Sequence, residues 1–333
     1  MHARDDRERM ATKTKQGLET PRAPRIALLV AQEDSTRRVL TDAVTEAGGV
    51  VCDPADADGI VWTDPGDPEG LRRVLAESPA SWIQLPFAGI EPFVAAGVID
   101  RERVWTCAKG IYAESCAEHA LAFMIMAAHH IHRHTRARSW IDESQKTRER
   151  RFHANATVAI VGTGGIGSRL ARMLAPLEAR ILGVNRSGRP LPGALRTVVQ
   201  GDLPEVLPEA DFVVLAAALT DSTRGLFAAS TIACMRGDAW LVNVARGALV
   251  DTGALVAALS AGGIGGAALD VTDPEPLPDD HPLWSFENVV ITPHVANTWA
   301  MGLPALRALV GRNVARYGQG RPLEGLVDPE LGY

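Results

Sequence analysis

The sequence has few cysteines, and no two of them are close together. Its 333 residues include four cysteines, and none of them forms a Cys-x-x-Cys pair: Cys52, Cys107, Cys116 and Cys234. No secretory leader is apparent either. We therefore expect free thiols and a cytoplasmic, reducing environment.

Long apolar runs and long basic blocks are also missing. The longest apolar run, Ala120 to Ala128, is far shorter than the ~20 residues that cross a bilayer, so we expect a soluble protein. The net charge is -6, and no basic block stands out beyond the N-terminal tail, which gives no indication of binding to nucleic acid or membrane. Residues 1–24 mix both charge signs without apolar periodicity, and we expect a flexible tail there.

In the rest of the chain, short apolar segments alternate with helical patterns, and they do so in two series. This alternation predicts two parallel sheets covered by helices. The expected strands are "IALLV", "GVVC", "GIVW", "WIQL" and "VWT" in the first series, and "TVAIVG", "RILGV", "DFVVLAA", "AWLVNVA", "GGAALDV" and "NVVIT" in the second. Six strands spaced roughly one βαβ unit apart describe a dinucleotide-binding sheet.

Between the two series, small and apolar residues recur at steps of three and four, which predicts one long amphipathic helix from about Ala113 that bridges the domains. Its far end is rich in basic side chains, interpreted as a solvated end that complements the helix dipole. They are His129, His130, His132, Arg133, His134 and Arg136. Although His130 and His134 are four residues apart, no nearby carboxylate or cysteine completes a metal shell, so we expect no metal. Residues 139–151 are predicted to form a loop.

A glycine-rich segment follows the first strand of the second series and opens a helix. In "VAIVGTGGIGSRLARML", Gly162 permits a tight turn, Gly164 lets the backbone approach a pyrophosphate, and Gly167 allows close packing of the helix on the strand. Gly165 and Ile166 complete the predicted phosphate loop. The motif alone is weak, but its position between a strand and a helix predicts dinucleotide binding.

The next strand ends without the carboxylate that usually binds the ribose hydroxyls of NAD. It ends at Asn185, and Arg186, Ser187 and Arg189 follow. The missing carboxylate removes repulsion against a 2′-phosphate, and the guanidinium and hydroxyl groups supply donors for one. We interpret this stretch as an NADP(H) pocket, with NAD(H) still possible because surface arginines are often only solvated.

Three later segments, "LVNVARGALVD", "AALDVTDPEPLPDDHPLW" and "VVITPHVANT", occur in an order that is typical of one family. With "WIQLPFAGIEPF", "AEHALAFMIMAA" and the glycine loop, the chain from about Arg25 onward resembles the D-isomer-specific 2-hydroxyacid dehydrogenases, in the branch of the glyoxylate and hydroxypyruvate reductases. The resemblance implies an α/β fold of two doubly wound parallel-sheet domains. A Rossmann cofactor domain (117–295) would be inserted into a flavodoxin-like substrate domain (25–116 and 296–333), with catalysis in the cleft and a homodimeric assembly.

The resemblance also implies a catalytic set of Arg246, Glu275 and His294. Arg246 is always charged and forked, so it can hold a substrate carboxylate and polarise a ketone. His294 can donate a proton to the nascent alkoxide at neutral pH, and Glu275 would orient its ring and raise its pKa. Hydride transfer from NAD(P)H to a small 2-oxo acid would then give a D-2-hydroxy acid.

Further contacts follow from the same resemblance. Asp270 would accept a hydrogen bond from the nicotinamide carboxamide, and Val244 and Ala245 would offer backbone groups nearby. The substrate carboxylate would bind the backbone of Ala88, Gly89 and Ile90, while Phe87 shapes the pocket or packs in the core. Asn297 stands where the family often has Gly or Ser, which leaves substrate size open. Trp299 is a candidate for the pocket wall or the domain interface and Trp140 for the site of a neighbouring subunit, while aromatic packing is the favoured explanation for both.

Some alternatives remain. Only 39 residues (333 minus 294) follow His294, which disfavours a phosphoglycerate dehydrogenase with a C-terminal regulatory domain, and Glu275 disfavours formate dehydrogenases, which pair the histidine with glutamine. A methyltransferase has no use for the later arginine, glutamate and histidine. The family also includes corepressors that use the fold as a dinucleotide-sensing binding scaffold, and intact catalytic residues do not exclude that role.

Overall fold

The computed structural model describes residues 22–31, 34–140 and 156–329. These residues form two compact units. One contains the described residues up to Lys109 and from Leu303 onward, and the other contains those between Gly110 and Gly302. Residues 1–21 of the predicted tail and 141–151 of the predicted loop lie outside the described residues.

The first unit is built on a five-stranded parallel sheet in the order β2-β1-β3-β4-β5. This is the order of flavodoxin-like doubly wound sheets. The strands are β1 (Arg25–Leu29), β2 (Val50–Val51), β3 (Gly59–Trp62), β4 (Trp82–Gln84) and β5 (Val104–Thr106). Its helices are α1 (Asp34–Glu46), α2 (Pro68–Glu77) and α3 (Glu91–Ala95). All five strands match the apolar segments that predicted them.

The second unit is built on a seven-stranded parallel sheet in the order β12-β11-β10-β9-β6-β7-β8. The chain enters at β6 in the interior and turns in the opposite direction at β9, so the β6–β9 pair is the switch point where doubly wound sheets bind ligands. The strands are β6 (Thr157–Val161), β7 (Arg180–Asn185), β8 (Arg196–Val199), β9 (Phe212–Leu215), β10 (Trp240–Asn243), β11 (Gly266–Leu269) and β12 (Val289–Ile291). The predicted α/β class, with two parallel sheets, is confirmed.

Helices pack on the second sheet and bury apolar side chains against it. They are α4 (Ala113–Ala128), α5 (Ile131–Arg136), α6 (Gly165–Leu174), α7 (Leu203–Val206), α8 (Ala229–Ile232) and α9 (Thr252–Ser260), while the C-terminal helix α10 (Trp299–Gly318) begins in this unit and continues in the first. One core cluster lies under α4 and α6, and another involves α7, α8 and α9. Among the described residues, no helix combines the length and apolar character needed to cross a membrane.

Strand β8 was not predicted, since the sequence indicated only six strands in this sheet. It pairs with β7 at the edge, and its four residues are exposed or half-buried. An edge strand with one neighbour needs no continuous apolar run, because only one face and one side are covered. A short segment such as Arg196–Val199 therefore gives little signal in the sequence.

The basic end of the long helix also differs from the prediction. Helix α4 ends at Ala128, His130 adopts a left-handed φ of 48°, and the separate helix α5 begins at Ile131. His132 is buried, with its ring centroid 5.2 Å from that of Trp240. Burial lowers the pKa of His132, so this histidine is not part of a solvated cationic end. The contact with Trp240, a residue distant in sequence, leaves no signal in the helix periodicity.

The second unit extends from Gly110 to Gly302. The resemblance implied a domain boundary at residue 117 and another at residue 296. The first turn of α4 packs on α6, where a Cβ on Gly165 would lie 3.3 Å from the Cβ of Ala113. Ser115 donates a hydrogen bond to Asn297 at 2.8 Å. These contacts connect residues on both sides of the expected boundaries to the second unit.

The stability of the second unit is expected to depend on the missing side chain of Gly167. A Cβ at Gly167 would overlap the carbonyl oxygen of Gly162 and lie 2.9 Å from Ile160. Gly167→Ala should therefore cost about 1–3 kcal/mol of unfolding free energy by overpacking, or several degrees in Tm. Thermal unfolding measures this loss. Gly237→Ala, at a position with nothing within 4 Å, is the matched control, and an equal Tm for the two variants would contradict the packing argument.

Candidate active site

Arg246, Glu275 and His294 follow three adjacent strands of the second sheet. Strands β10, β11 and β12 pair in parallel, with Asn243 opposite Leu269 and Leu269 opposite Ile291. The carboxyl ends of the three strands therefore lie side by side, which is the edge where open α/β sheets carry their sites. Each predicted catalytic residue comes within a few positions of such an end, and the fold brings the three segments together.

The segment that carries Arg246 turns tightly after β10. The Asn243 side chain accepts a hydrogen bond from the Ala245 backbone N–H at 3.0 Å and donates one to the Arg246 carbonyl at 2.9 Å. A Cβ on Gly247 would overlap the carbonyl group of Thr272. Because Gly247 has no side chain, the segment after β10 lies directly against the backbone that leads from β11 to Glu275.

His294 has the left-handed φ of 54° and follows Pro293. Its backbone N–H donates to the Asp270 carbonyl at 2.8 Å, which connects the loop after β12 to the end of β11. Its ring Nδ1 lies 2.6 Å from Oε1 of Glu275. The two side chains keep 48% and 42% of their surface exposed within the chain, so the pair is accessible from solvent and still directly bonded.

The charges of the site shift both pKa values in the direction that favours an ion pair. The hydrogen bond to Glu275 raises the pKa of His294 above its ordinary value, against the opposing effects of desolvation and the positive charge of Arg246. The hydrogen bond from His294 holds the pKa of Glu275 below its ordinary value, and Arg246 acts in the same direction. The arrangement therefore favours the protonated imidazole and the ionised carboxylate.

Asp270 is buried, with 1% of its side chain exposed. Its Oδ1 accepts from the Thr292 hydroxyl at 2.6 Å and the Val295 N–H at 2.8 Å, and its Oδ2 accepts from the Ala296 N–H at 2.9 Å. The carboxylate thus binds the loop that carries His294. A contact from Asp270 to a nicotinamide carboxamide stays a prediction, and it would share the carboxylate with these three donors.

Two other predicted cofactor residues, Val244 and Ala245, are buried at the end of β10. The Val244 N–H donates to Leu215 at 3.4 Å, and the Ala245 N–H donates to the Asn243 side chain. Because both N–H groups bond within the protein, a contact from this segment to a ligand would use a carbonyl oxygen. Their role in cofactor binding stays a prediction.

The glycine loop has the geometry that its sequence predicted. Gly162 has a φ of +99°, and a Cβ there would overlap the backbone of Ala216 and Ala217 after β9. Gly164 precedes helix α6, and nothing lies within 4 Å of the position a Cβ would take there. The space beside Gly164, next to the N–H groups at the start of a helix, suits a phosphate group. Gly165 and Ile166 pack against α4 and the core beneath it.

The turn after β7 is organised by the Asn185 amide. Its Nδ2 donates at 2.8 Å both to the Thr163 hydroxyl in the glycine loop and to the Arg189 carbonyl. Its Oδ1 accepts from the Ser187 N–H at 3.0 Å. Arg186, Ser187 and Arg189 lie exposed on this turn. The amide of Asn185 therefore holds the turn, while the arginines present their side chains at its surface.

The predicted carboxylate-binding loop lies in the first unit, after β4. The Phe87 carbonyl accepts from the Ala108 N–H at 2.8 Å, and the Phe87 ring stacks on Phe93 with centroids 6.3 Å apart. Phe87 packs against the core of this unit, while Ala88 is exposed and Ile90 is buried. Binding of a carboxylate by the backbone of Ala88, Gly89 and Ile90 stays a prediction.

Several residues of the site were missed in the sequence. Asn243, Gly247 and Thr292 hold the catalytic segments, and His119 hydrogen bonds to Thr292. The position of Gly247 and Thr292 directly beside the "AR" and "PH" motifs was their only signal in the sequence.

Three residues whose roles the sequence left open have different surroundings. The Asn297 side chain accepts a hydrogen bond from the Ser115 hydroxyl. Trp299 is the first residue of α10 and is half-buried, whereas Trp140 is 95% exposed.

Comparison with known proteins identifies the family of this chain. The NAD-binding-domain model of the D-isomer specific 2-hydroxyacid dehydrogenases matches residues 120–296. A Corynebacterium melassecola protein, named for its position in the proB 3′ region, is 42% identical over 306 residues, which cover 88% of this chain and 96% of that protein. The glyoxylate reductase of Pyrococcus furiosus is 33% identical over 228 residues, 66% of this chain and 68% of that enzyme.

The fold has a close match among solved structures. A D-isomer specific 2-hydroxyacid dehydrogenase from Xanthobacter autotrophicus, in complex with NADPH and MES, superposes with a TM-score of 0.80 and 27% identity, covering 93% of this chain and 100% of that one. The resemblance that the motifs indicated is thereby confirmed. This chain belongs to the D-isomer-specific 2-hydroxyacid dehydrogenase family, in its glyoxylate/hydroxypyruvate reductase-like branch of NAD(P)-dependent oxidoreductases.

Proposed function

We propose that this protein reduces a small 2-oxo acid to a D-2-hydroxy acid with NADPH, using His294 as the proton donor. The observation that carries the proposal is the 2.6 Å hydrogen bond between His294 and Glu275, which raises the pKa of the imidazole and so favours its protonated form. The relatives named glyoxylate reductase act on a substrate of this class. Assay of a panel of 2-oxo acids with NADPH and NADH tests the activity.

The glycine loop fits the cofactor that the proposal requires. Gly162 makes the tight turn, and the space beside Gly164 at the start of α6 admits a phosphate. When bound, the nicotinamide dinucleotide supplies the hydride. Arg186, Ser187 and Arg189 would bind a 2′-phosphate, since guanidinium groups form charge-assisted bonds to phosphate. The Xanthobacter relative was solved in complex with NADPH, which supports NADPH as the cofactor proposed here.

The roles of the catalytic side chains follow from their atoms. Nδ1 of His294 is bonded to Glu275, so Nε2 is the nitrogen that donates a proton to the ketone oxygen as hydride adds to the carbonyl carbon. His294 becomes neutral in this step and remains hydrogen-bonded to Glu275. Arg246 binds the substrate carboxylate and polarises the ketone. In the reverse direction the neutral imidazole accepts the proton from the hydroxyl group.

Removal of the imidazole should abolish the proton transfer while leaving the cofactor site intact. His294→Ala is expected to lower kcat by about 10²–10⁴-fold, the usual contribution of a positioned acid or base, with the Kd for NADPH changed less than about twofold. Steady-state kinetics and fluorescence titration measure the two quantities. His129→Ala, at an exposed position after α4, is the matched control. Unchanged turnover in His294→Ala would contradict the role, and NADPH binding without turnover by the wild-type protein would favour the corepressor alternative.

Replacement of the glutamate should shift the pH dependence in one direction. Glu275 raises the pKa of His294, so ketone reduction, which needs the protonated imidazole, is lost only as the pH rises through that raised value. Glu275→Gln removes the negative charge and lowers the pKa of His294. The alkaline limb of kcat/KM for reduction should therefore move to lower pH. A limb that stays in place, or moves to higher pH, would show that Glu275 does not control this proton.

The arginines after β7 should determine cofactor preference. Arg186→Ala and Arg189→Ala are each expected to lower kcat/KM with NADPH by about tenfold or more, since a hydrogen bond to a charged group contributes about 1.5–3 kcal/mol, and to leave kcat/KM with NADH nearly unchanged. The ratio of the two values is the measurement. Arg38→Ala, on the exposed face of α1, is the control. A wild-type preference for NADH would refute the NADPH assignment outright.

A further inference from the structure

Three side chains form a hydrogen-bonded chain next to the loop that carries His294. The Thr292 hydroxyl lies 2.6 Å from Oδ1 of Asp270, and Nε2 of His119 lies 3.0 Å from the same hydroxyl oxygen. His119 belongs to helix α4 and Thr292 directly follows β12. The mechanism proposed above gives neither residue a role.

The direction of each hydrogen bond in this chain follows from the number of protons available. Asp270 is buried and accepts from the backbone N–H groups of Val295 and Ala296, so both of its carboxylate oxygens act as acceptors. The Thr292 hydroxyl therefore donates its single hydrogen to Asp270. Its oxygen must then accept a hydrogen from Nε2 of His119, which assigns the tautomer of His119.

The carboxylate at the end of this chain supports the backbone of His294. Asp270 binds the two residues that follow His294 through its side chain, and its carbonyl accepts from the His294 N–H at 2.8 Å. His294 itself has a φ of 54°, a conformation that non-glycine residues adopt only when their surroundings hold it. The orientation of the Asp270 carboxylate therefore helps to determine where the His294 imidazole lies.

The ring of His119 is also fixed by a contact within helix α4. Its ring makes an edge contact with the buried Phe123 on the next turn of α4, with centroids 4.4 Å apart and planes at 78°. About a fifth of its side chain, 22%, remains exposed. The imidazole thus has one fixed nitrogen directed at Thr292 and connects the face of α4 to the catalytic loop.

We propose that His119 and Thr292 are positioning residues for the reaction, because they orient the Asp270 carboxylate and through it the His294 loop. The inference rests on the proposed role of His294. If it holds, loss of the chain lowers the rate of proton transfer without preventing cofactor binding, since the groups that bind phosphates lie on other loops. Restoring a donor of the same reach restores the rate.

The Thr292 position allows a matched pair of substitutions. Thr292→Val keeps the shape and removes the hydroxyl, and it should lower kcat by about tenfold, because a misplaced catalytic group costs one to two orders of magnitude. The KM for NADPH should change less than about threefold. Thr292→Ser keeps the hydroxyl and should recover most of kcat. Steady-state kinetics with glyoxylate and NADPH measure this split between kcat and KM.

The His119 position gives a second, independent pair at a partly exposed site. Gln can place an amide N–H where Nε2 lies, whereas Leu cannot donate. His119→Leu should lower kcat by about threefold to tenfold, and His119→Gln should recover it. If the three groups act as one chain, the double variant His119→Leu/Thr292→Val should be no slower than Thr292→Val alone. If Thr292→Val does not fold, the comparison of His119→Leu with His119→Gln still tests the positioning role.

His294→Ala serves as the reference that separates the two proposals. If His294→Ala loses turnover while Thr292→Val and His119→Leu keep the wild-type kcat, the positioning role is wrong and the proposed function stands. If Ser and Gln fail to recover what Val and Leu lose, the hydroxyl and the donor are not what matters, and the positioning role is again wrong. Unchanged turnover in His294→Ala would contradict both proposals.

Discussion

The hydrogen bond between His294 and Glu275 depends on two loops that bring Nδ1 of His294 within 2.6 Å of Oε1 of Glu275. These loops leave neighbouring parallel strands, so their starting points, Leu269 and Ile291, are paired in the sheet. From there the backbone must bend sharply. The left-handed φ of His294 and the bonds from Asp270 to Val295 and Ala296 make that bend, and Gly247 allows the Arg246 segment to lie against the same loop. The catalytic geometry is therefore a consequence of strand pairing plus a few tight backbone contacts.

Arg246 and Glu275 act on the pKa of His294 in opposite directions. Arg246 alone would favour a neutral imidazole, because its positive charge lowers the pKa of His294, as does desolvation. The hydrogen bond and charge of Glu275 act in the other direction and determine the net upward shift. In the proposed reaction, a fixed cation binds the anionic substrate, and the carboxylate offsets the effect of that cation on the pKa of the proton donor.

The sequence was informative where backbone conformation or burial leaves a local pattern. Buried strands such as Thr157–Val161 appear in the sequence as apolar runs. The turn and the helix packing of the glycine loop could be predicted because only glycine fits at Gly162 and Gly167. Strand β8 was missed because an exposed edge strand has no such run. The sequence predicts a solvated His132, whereas its burial involves Trp240, a residue distant in sequence. The link between His119 and Thr292 is likewise a contact between distant segments.

Asn185 shows the same limit in a different way. In the sequence, Asn185 was significant only because it replaces the usual carboxylate, which would repel a 2′-phosphate. In the structure, both hydrogens of its amide are donated, one to Thr163 and one to the Arg189 carbonyl, while its oxygen accepts from Ser187. An ionised aspartate has no hydrogen to donate and would set an oxygen against that carbonyl. The amide at residue 185 therefore also connects this turn to Thr163 of the glycine loop, and the proposed preference for a phosphorylated cofactor rests on the exposed arginines of the same turn.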